Sequence, residues 1–124
     1  MRMQRAIEYF QKAIEQDLGY ALAYAGLADA YVIPANPLPR LEANFRAKAA
    51  GRRALGLDNT LAEAHTSLAY ALMVDYDWSA AERGFERALA LNPNYPTVHQ
   101  WYAEYLAAIG RVNESISEVK KPNC

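Results

Sequence analysis

The chain has 124 residues, of which 52% are hydrophobic and 22% are charged, and its formal net charge is −1. This length suits one domain, and the balance is that of an ordinary soluble protein. A nearly neutral chain has no general attraction to nucleic acid or to an anionic membrane. No apolar run reaches the ~18 residues that are needed to span a bilayer. The single cysteine, Cys124, cannot form an internal disulfide, which favours a cytoplasmic location.

Apolar periodicity and turn residues predict an all-α chain with about seven helices. The predicted ranges are 2–17, 20–33, 40–56, 61–74, 78–91, 95–109 and 112–120. Prolines between Ile33 and Arg40 cannot continue a helix, so residues 33–40 are predicted to be a loop. We interpret it as a surface insertion, with a functional lid as the less favoured alternative.

Three types of residue are expected to mark the helix ends. Asp58 to Thr60 predict a side-chain N-cap for the fourth helix, and Asp77 or Ser79 one for the fifth. Gly110 is expected to end the sixth helix, because glycine tolerates the left-handed conformation.

An internal repeat organises the chain. Segments that begin at Tyr24, His65 and His99 each have a ring, two residues, a large apolar residue, an alanine, two residues and another large apolar residue. They are separated by 41 and then 34 residues. A second block, Ala-x3-Phe-x2-Ala, begins at Ala6 and again at Ala81. The small residues suit close approach of two helices, and the large ones form an apolar stripe on each helix.

This pattern resembles the tetratricopeptide repeat (TPR), in which W-x2-L-G-x2-Y, A-x3-F and P recur over 34 residues. Residues 62–95 fit nearly throughout, although His65 and His99 replace the tryptophan and alanines replace the glycine. The resemblance implies a right-handed superhelical solenoid of antiparallel pairs, each with an inner A helix and an outer B helix. The expected organisation is a single TPR domain over 1–124, made of an orphan B helix (1–20), a repeat with the inserted loop (21–61), a full repeat (62–95) and a truncated repeat (96–124).

Catalytic chemistry has no candidate constellation in this sequence, so we expect no enzyme. The two histidines occupy equivalent repeat positions, with no second histidine or cysteine within four residues, which suits helix packing better than a metal site. Ser67 and Ser79 lie in no nucleophile elbow, and the scattered glycines form no phosphate-binding loop. No metal or cofactor is predicted.

Repeat solenoids bind along their concave face, which A helices line in the TPR family. Helical spacing nominates twelve inward positions, four on each A helix. They are Leu22, Ala25, Asp29, Val32, Glu63, Thr66, Tyr70, Met73, Thr97, Gln100, Glu104 and Ala107. The peptide-binding groove is predicted to use seven of them, namely Asp29, Glu63, Thr66, Tyr70, Met73, Gln100 and Glu104, with Trp101 as a further apolar contact.

The predicted A helices are acidic. They contain Asp29, Glu63, Asp75 and Glu104 and no lysine or arginine, which leaves the rest of the chain with a net charge of +3. Such a layer repels phosphate, and it lacks the basic residues with which some TPR domains hold chaperone carboxylates. The predicted partner is therefore a protein or peptide, neutral or basic, and not nucleic acid or a membrane.

The leading interpretation is a protein-interaction scaffold within a signalling or regulatory assembly. The segments from Ala21 and His99 resemble TPR regions of multidomain bacterial signalling proteins. The alternative is self-association into a homo-oligomer, through terminal helices that the repeat scheme leaves without partners. Its candidate residues are Ile7, Phe10 and Ile14, an apolar stripe on the first helix. At the other end, the fourth copy of the second block begins at Ser115, close to the last residue.

Overall fold

A computed structural model describes residues 2–16, 20–32 and 38–110 of the chain. It contains six helices: α1 Arg2–Gln16, α2 Ala21–Val32, α3 Arg40–Leu57, α4 Ala62–Val74, α5 Trp78–Leu91 and α6 Pro96–Ala108. Each agrees with its predicted range to within one residue at either end. The predicted helix 112–120, Ser115, Cys124 and residues 33–37 of the inserted loop lie outside the described residues. None of the helices in the described ranges combines the length and the apolarity that crossing a membrane requires.

The helix ends differ from the prediction in their chemistry. The carboxylate of Asp58 accepts hydrogen bonds from the amide and hydroxyl of Thr60, at 3.0 and 2.6 Å, and so closes a turn before α4. The N-cap of α4 is Leu61, and that of α5 is Asp77, and neither caps through its side chain. The predicted cap from Asp58–Thr60 is therefore wrong, because its polar groups are used within the turn. Gly110 has a φ of 87°, as expected for a left-handed helix end.

The helices form two layers. Helix α2 packs against α4 and α4 packs against α6, so the even-numbered helices form one continuous layer. Among the described residues, no odd-numbered helix contacts another odd-numbered helix; α3 lies against α2 and α4, and α5 lies against α4 and α6. The more closely spaced layer lies on the inside of a curved solenoid. Helices α2, α4 and α6 are thus the inner A helices, and α1, α3 and α5 are the outer B helices.

Small residues set the spacing between the layers. Most alanines at the repeat positions are buried, and Ala28, Ala69 and Ala81 are completely buried. Gly84 lies so close to α4 that a Cβ added to it would be 2.8 Å from the Cβ of Ala69. Since real Cβ atoms do not approach so closely, α4 and α5 can pack in this way only with a glycine at position 84.

Aromatic side chains fill the core between α5 and α6. The rings of Phe85 and Tyr102 stack with their centroids 5.4 Å apart, and Tyr105 packs against both. The buried hydroxyl of Tyr105 lies 3.1 Å from the carbonyl oxygen of Trp78 and 3.1 Å from a carboxylate oxygen of Glu82. Burial of these rings fixes α6 on α5.

The first helix has a partner within the chain. Its apolar stripe, made of Ile7, Phe10 and Ile14, is half-buried. The stripe packs against a core cluster that includes Leu27 and Tyr31 of α2 as well as residues of α3. The ring of Phe10 occupies the space beside Gly26, where an added Cβ would be 2.3 Å from the Phe10 Cε1 atom. Helix α2 therefore covers part of this stripe, and self-association through it stays a prediction.

Candidate functional site

Asp29 and Glu63 bring two acidic side chains together on the inner layer. Asp29 lies on α2 and Glu63 lies on α4, and the two carboxyl groups are near enough to interact. Burial raises the pKa of Asp29 to about 6; a hydrogen bond with Ser67 opposes this rise, and the charge of Glu63 adds to it. A fraction of Asp29 is therefore protonated near neutral pH.

The geometry around Ser67 accommodates Asp29 in either protonation state. Its hydroxyl is hydrogen-bonded to an Asp29 carboxyl oxygen and lies 2.8 Å from the carbonyl oxygen of Glu63 and 3.4 Å from that of Ala25. One hydroxyl carries a single proton and cannot donate to three acceptors. When Asp29 is protonated, it donates to the Ser67 oxygen, and Ser67 is free to donate to the Glu63 carbonyl.

Tyr95 extends this group towards α6. Burial raises the pKa of Tyr95, and the charges of Asp29 and Glu63 raise it further. A hydrogen bond with Thr97 lowers this pKa and so opposes the rise. The negative charges of both carboxyl groups therefore act on the Tyr95 hydroxyl. We call Asp29, Glu63, Ser67 and Tyr95 the acidic cluster.

A second inner-layer group joins α4 to α6. The Tyr70 hydroxyl donates a hydrogen bond to a carboxylate oxygen of Glu104 at 3.2 Å. The rings of Tyr70 and Trp101 lie with their centroids 4.4 Å apart at an angle of 48°. Burial and the Glu104 carboxylate raise the pKa of Tyr70, while Arg40 lowers it. We call Tyr70, Trp101 and Glu104 the aromatic platform.

The remaining nominated residues divide between the surface and the core. Met73 is half-buried against the same core cluster as Tyr70 and Trp101, and Gln100 is exposed on α6. Thr66 is completely buried, and its hydroxyl donates to the Ala62 carbonyl at 2.8 Å within α4. Ala25 is buried as well. Four helices pack around α4 and leave less of its surface exposed than helical spacing alone predicted. The prediction that Thr66 lines the groove is therefore wrong.

The fourth acid of the inner layer is neutralised by the outer layer. Asp75 accepts a hydrogen bond of 2.6 Å from the buried amide of Asn44 and forms an ion pair with Lys48, both on α3. The acidic surface of α2, α4 and α6 therefore consists of Asp29, Glu63 and Glu104. Spacing had not indicated Ser67 and Tyr95; the available signal for Ser67 was its position one turn after Glu63.

The histidines have equivalent backbone contacts. The Nε2 atom of His65 lies 2.9 Å from the carbonyl oxygen of Asn59, and that of His99 lies 2.6 Å from the carbonyl oxygen of Pro93. In each repeat the ring thus ties its helix to the residue six positions earlier. Within residues 2–16, 20–32 and 38–110, no group of three or more histidine, cysteine, aspartate or glutamate residues is placed to hold a metal ion.

Comparison with solved structures identifies the fold. TTC0263, a thermophilic TPR protein of Thermus thermophilus, matches with a TM-score of 0.79 and 20% identity over 94% of this chain and 61% of its own. MamA matches with a TM-score of 0.66 and 21% identity, over 95% of this chain and 68% of its own. YrrB, described as a TPR protein with an unusual peptide-binding site, has a TM-score of 0.62 and 26% identity over 94% of this chain and 57% of its own.

These matches confirm the predicted TPR solenoid. The chain spans about three fifths of the length of TTC0263 and of YrrB. No protein-family model and no curated protein matches the sequence.

Proposed function

We propose that this chain is a protein-interaction scaffold that binds an extended peptide or a helix along its inner face. The role is one of binding and not of catalysis, and the partner is neutral or basic. We place the scaffold within a signalling or regulatory assembly of the bacterial cytoplasm, in keeping with the sequence resemblance and the single cysteine.

One observation carries this proposal. The inner helices present Asp29, Glu63 and Glu104 with no lysine or arginine among their residues, beside a partly exposed pair of aromatic rings. A surface of this kind offers both charge pairing and apolar contact to a ligand. The peptide-binding site described for YrrB shows that one protein of similar fold binds peptides, and it supports the same class of ligand here.

The two groups would play different parts. A lysine or arginine side chain of the ligand would pair with the carboxylates of Asp29 and Glu63 in the acidic cluster. An apolar side chain one or two residues away would pack on Tyr70, Trp101 and Met73. The exposed Gln100 and Glu104 would then bond to the ligand backbone, which is the way extended peptides gain affinity without demanding one sequence.

Matched peptides test the proposal. Two peptides with the same apolar residues, one carrying lysines and the other glutamates, are titrated against the full chain while tryptophan fluorescence is followed. Binding of the basic peptide at least tenfold tighter is expected, with a loss of about tenfold in Glu63→Gln and in Tyr70→Ala, since charge-assisted bonds and buried rings contribute roughly 1–3 kcal/mol each. Equal binding, or tighter binding of the acidic peptide, would refute it.

A further inference from the structure

The outer layer exposes an unusual set of large apolar side chains. Leu41 and Phe45 on α3 are 84% and 70% exposed, and Tyr76, between α4 and α5, is 76% exposed. Leu41 and Phe45 are one helical turn apart and so lie side by side. Leu41 and Tyr76 line the same cleft of about 340 Å³. The three residues, which we call the outer patch, form a continuous apolar surface, whereas single exposed apolar residues are common.

Tyr76 adds backbone strain to this exposure. Its φ of 63° lies in the left-handed region, which is costly for a bulky side chain and free of cost for glycine. The ring is exposed, and among the described aromatic rings it contacts Trp78 edge-on, at a centroid distance of 5.9 Å. This left-handed residue closes the C-cap of α4, where the amides of Tyr76 and Asp77 donate to the carbonyl oxygens of Met73 and Leu72. The cap requires a left-handed backbone but not a tyrosine.

A concave cleft adjoins the patch at Phe45. It has a volume of about 270 Å³, lies between α2 and α3, and has Tyr24, Leu27 and Tyr31 on its wall. This volume falls just below the ~300–1,000 Å³ of small-molecule sites, and it suits one large apolar side chain of a protein. The guanidinium groups of Arg46 and Arg53 lie at its rim, 6.0 Å from the ring centroid of Tyr31 and 5.7 Å from that of Tyr24.

The charge around the patch is positive and only partly compensated. Helix α3 carries five basic residues and one acidic residue, Glu42. Glu42 pairs with Arg46 at 2.7 Å, and Asp75 pairs with Lys48. The other three basic residues of α3 form no salt bridge with any described residue; they are Arg40, Arg52 and Arg53.

We propose that the outer patch binds an acidic amphipathic helix of a partner protein. Apolar side chains of that helix pack on Leu41, Phe45 and Tyr76, and one of them enters the cleft beside Phe45. Its carboxylates pair with Arg53 and the neighbouring arginines. This site lies on the outer layer and is distinct from the inner-face groove, with Arg40 at the start of α3 as the residue that lies near both.

A helix fits this surface better than a bilayer does. The cleft is a local depression of the size of one side chain, whereas a bilayer binds a broad apolar face. The carboxylates of Glu42 and Asp75 beside this surface are already paired with Arg46 and Lys48, so the charges left for a partner are the arginines spaced along α3. A protein helix can place its carboxylates at the positions of these arginines.

The test uses a synthetic amphipathic helix of ~18 residues, or five turns, with leucines on one face and glutamates beside them. A control peptide carries lysines in place of the glutamates. With both peptides labelled, fluorescence anisotropy against the full chain is expected to show at least tenfold tighter binding of the acidic peptide. Phe45→Ser and Arg53→Glu should each weaken it at least tenfold, whereas the inner-face variant Glu104→Gln should leave it unchanged.

Folding does not confound these variants, because Phe45 and Arg53 are exposed and their replacement should leave the melting temperature within a few degrees of wild type. Three results with the peptides and vesicles would overturn the proposal. The first is equal binding of the two peptides, and the second is unchanged binding of the acidic peptide by Phe45→Ser. The third is that the chain binds neither peptide but cosediments with phosphatidylcholine vesicles that contain phosphatidylglycerol. A dimer in sedimentation velocity that Phe45→Ser abolishes would also contradict it, since the patch would then be covered by a second copy.

Discussion

The carboxyl group of Asp29 illustrates how much of the chemistry depends on three-dimensional neighbours. It lies between α2 and α4, where burial, Ser67 and Glu63 together determine its protonation. The sequence predicted that Asp29 and Glu63 face the same groove. It could not predict Ser67 as a partner, because Asp29 and Ser67 are 38 residues apart and meet only when the two A helices pack.

Asp29→Asn should stabilise the protein at pH 8 and have little effect at pH 4. The folded pKa of about 6 exceeds the ordinary value of 3.8, so wild type loses stability as the pH rises through this window. A full shift corresponds to ~3 kcal/mol, and we expect a gain of about 1–2 kcal/mol because the site is partly solvated. Urea unfolding at both pH values measures it. Glu86→Gln, at an exposed carboxylate of α5, is the control, and an unchanged stability at pH 8 would disprove the burial argument.

Tyr76→Gly should raise the free energy of unfolding by about 1 kcal/mol, because glycine removes the left-handed strain at φ 63°. Tyr76→Ala is the matched control, since alanine keeps a Cβ and most of the strain. Thermal unfolding followed by circular dichroism measures both variants. If glycine proves no more stable than alanine, the backbone at this position is not strained.

At the scale of helices, the sequence predicted boundaries well and facing surfaces less well. Proline, asparagine and glycine between the apolar stripes mark helix ends by local chemistry, which is why the boundaries agree. How much of α4 is exposed depends on how closely its four neighbouring helices pack around it. For that reason Thr66 was predicted to face the groove although it is completely buried. The sequence also did not show that Lys48, on another helix, forms an ion pair with Asp75 and neutralises its charge.

Two glycines in outer helices should respond in opposite ways to alanine. Gly84→Ala would place a Cβ 2.8 Å from Ala69 and should destabilise the protein by about 1–3 kcal/mol through overpacking. Gly56→Ala meets no atom within 4 Å and should stabilise α3 by roughly 0.5–1 kcal/mol, since alanine favours the helix. Urea unfolding compares the two. Stabilisation of both would show that α4 and α5 are not in close contact at Gly84.

Phe10→Ala decides between the two roles considered for α1. The ring packs beside Gly26, so we expect a loss of about 2–3 kcal/mol of stability and no change in molecular mass. Chemical unfolding and sedimentation velocity provide the two readouts. A wild-type oligomer that becomes monomeric in Phe10→Ala, with its stability intact, would instead support self-association through Ile7, Phe10 and Ile14. Glu15→Gln, on the exposed side of α1, controls for effects of the helix itself.

Across the whole molecule, the two layers differ in the sign of their charge. The inner helices carry acidic residues that form no salt bridge within the described residues. In the outer layer, α3 carries arginines that form no salt bridge with a described residue, and they lie beside exposed apolar side chains. The sequence indicated this division, because the repeat register assigns each charge to a layer. It did not indicate the outer patch, since the exposure of Leu41 and Phe45 depends on the packing of α2 and α4 against the opposite side of α3. With both proposed sites, the solenoid could hold two different partners at once.

NMR mapping of backbone amides in the full chain shows whether a basic ligand binds along the inner face. Addition of the lysine peptide should shift the amides of α2, α4 and α6 around Glu63, Tyr70 and Glu104, while those of α3 around Phe45 stay in place. The Tyr70→Ala variant should lose these shifts. Shifts confined to α3 and α5, or shifts on the inner helices produced equally by the glutamate peptide, would contradict the account.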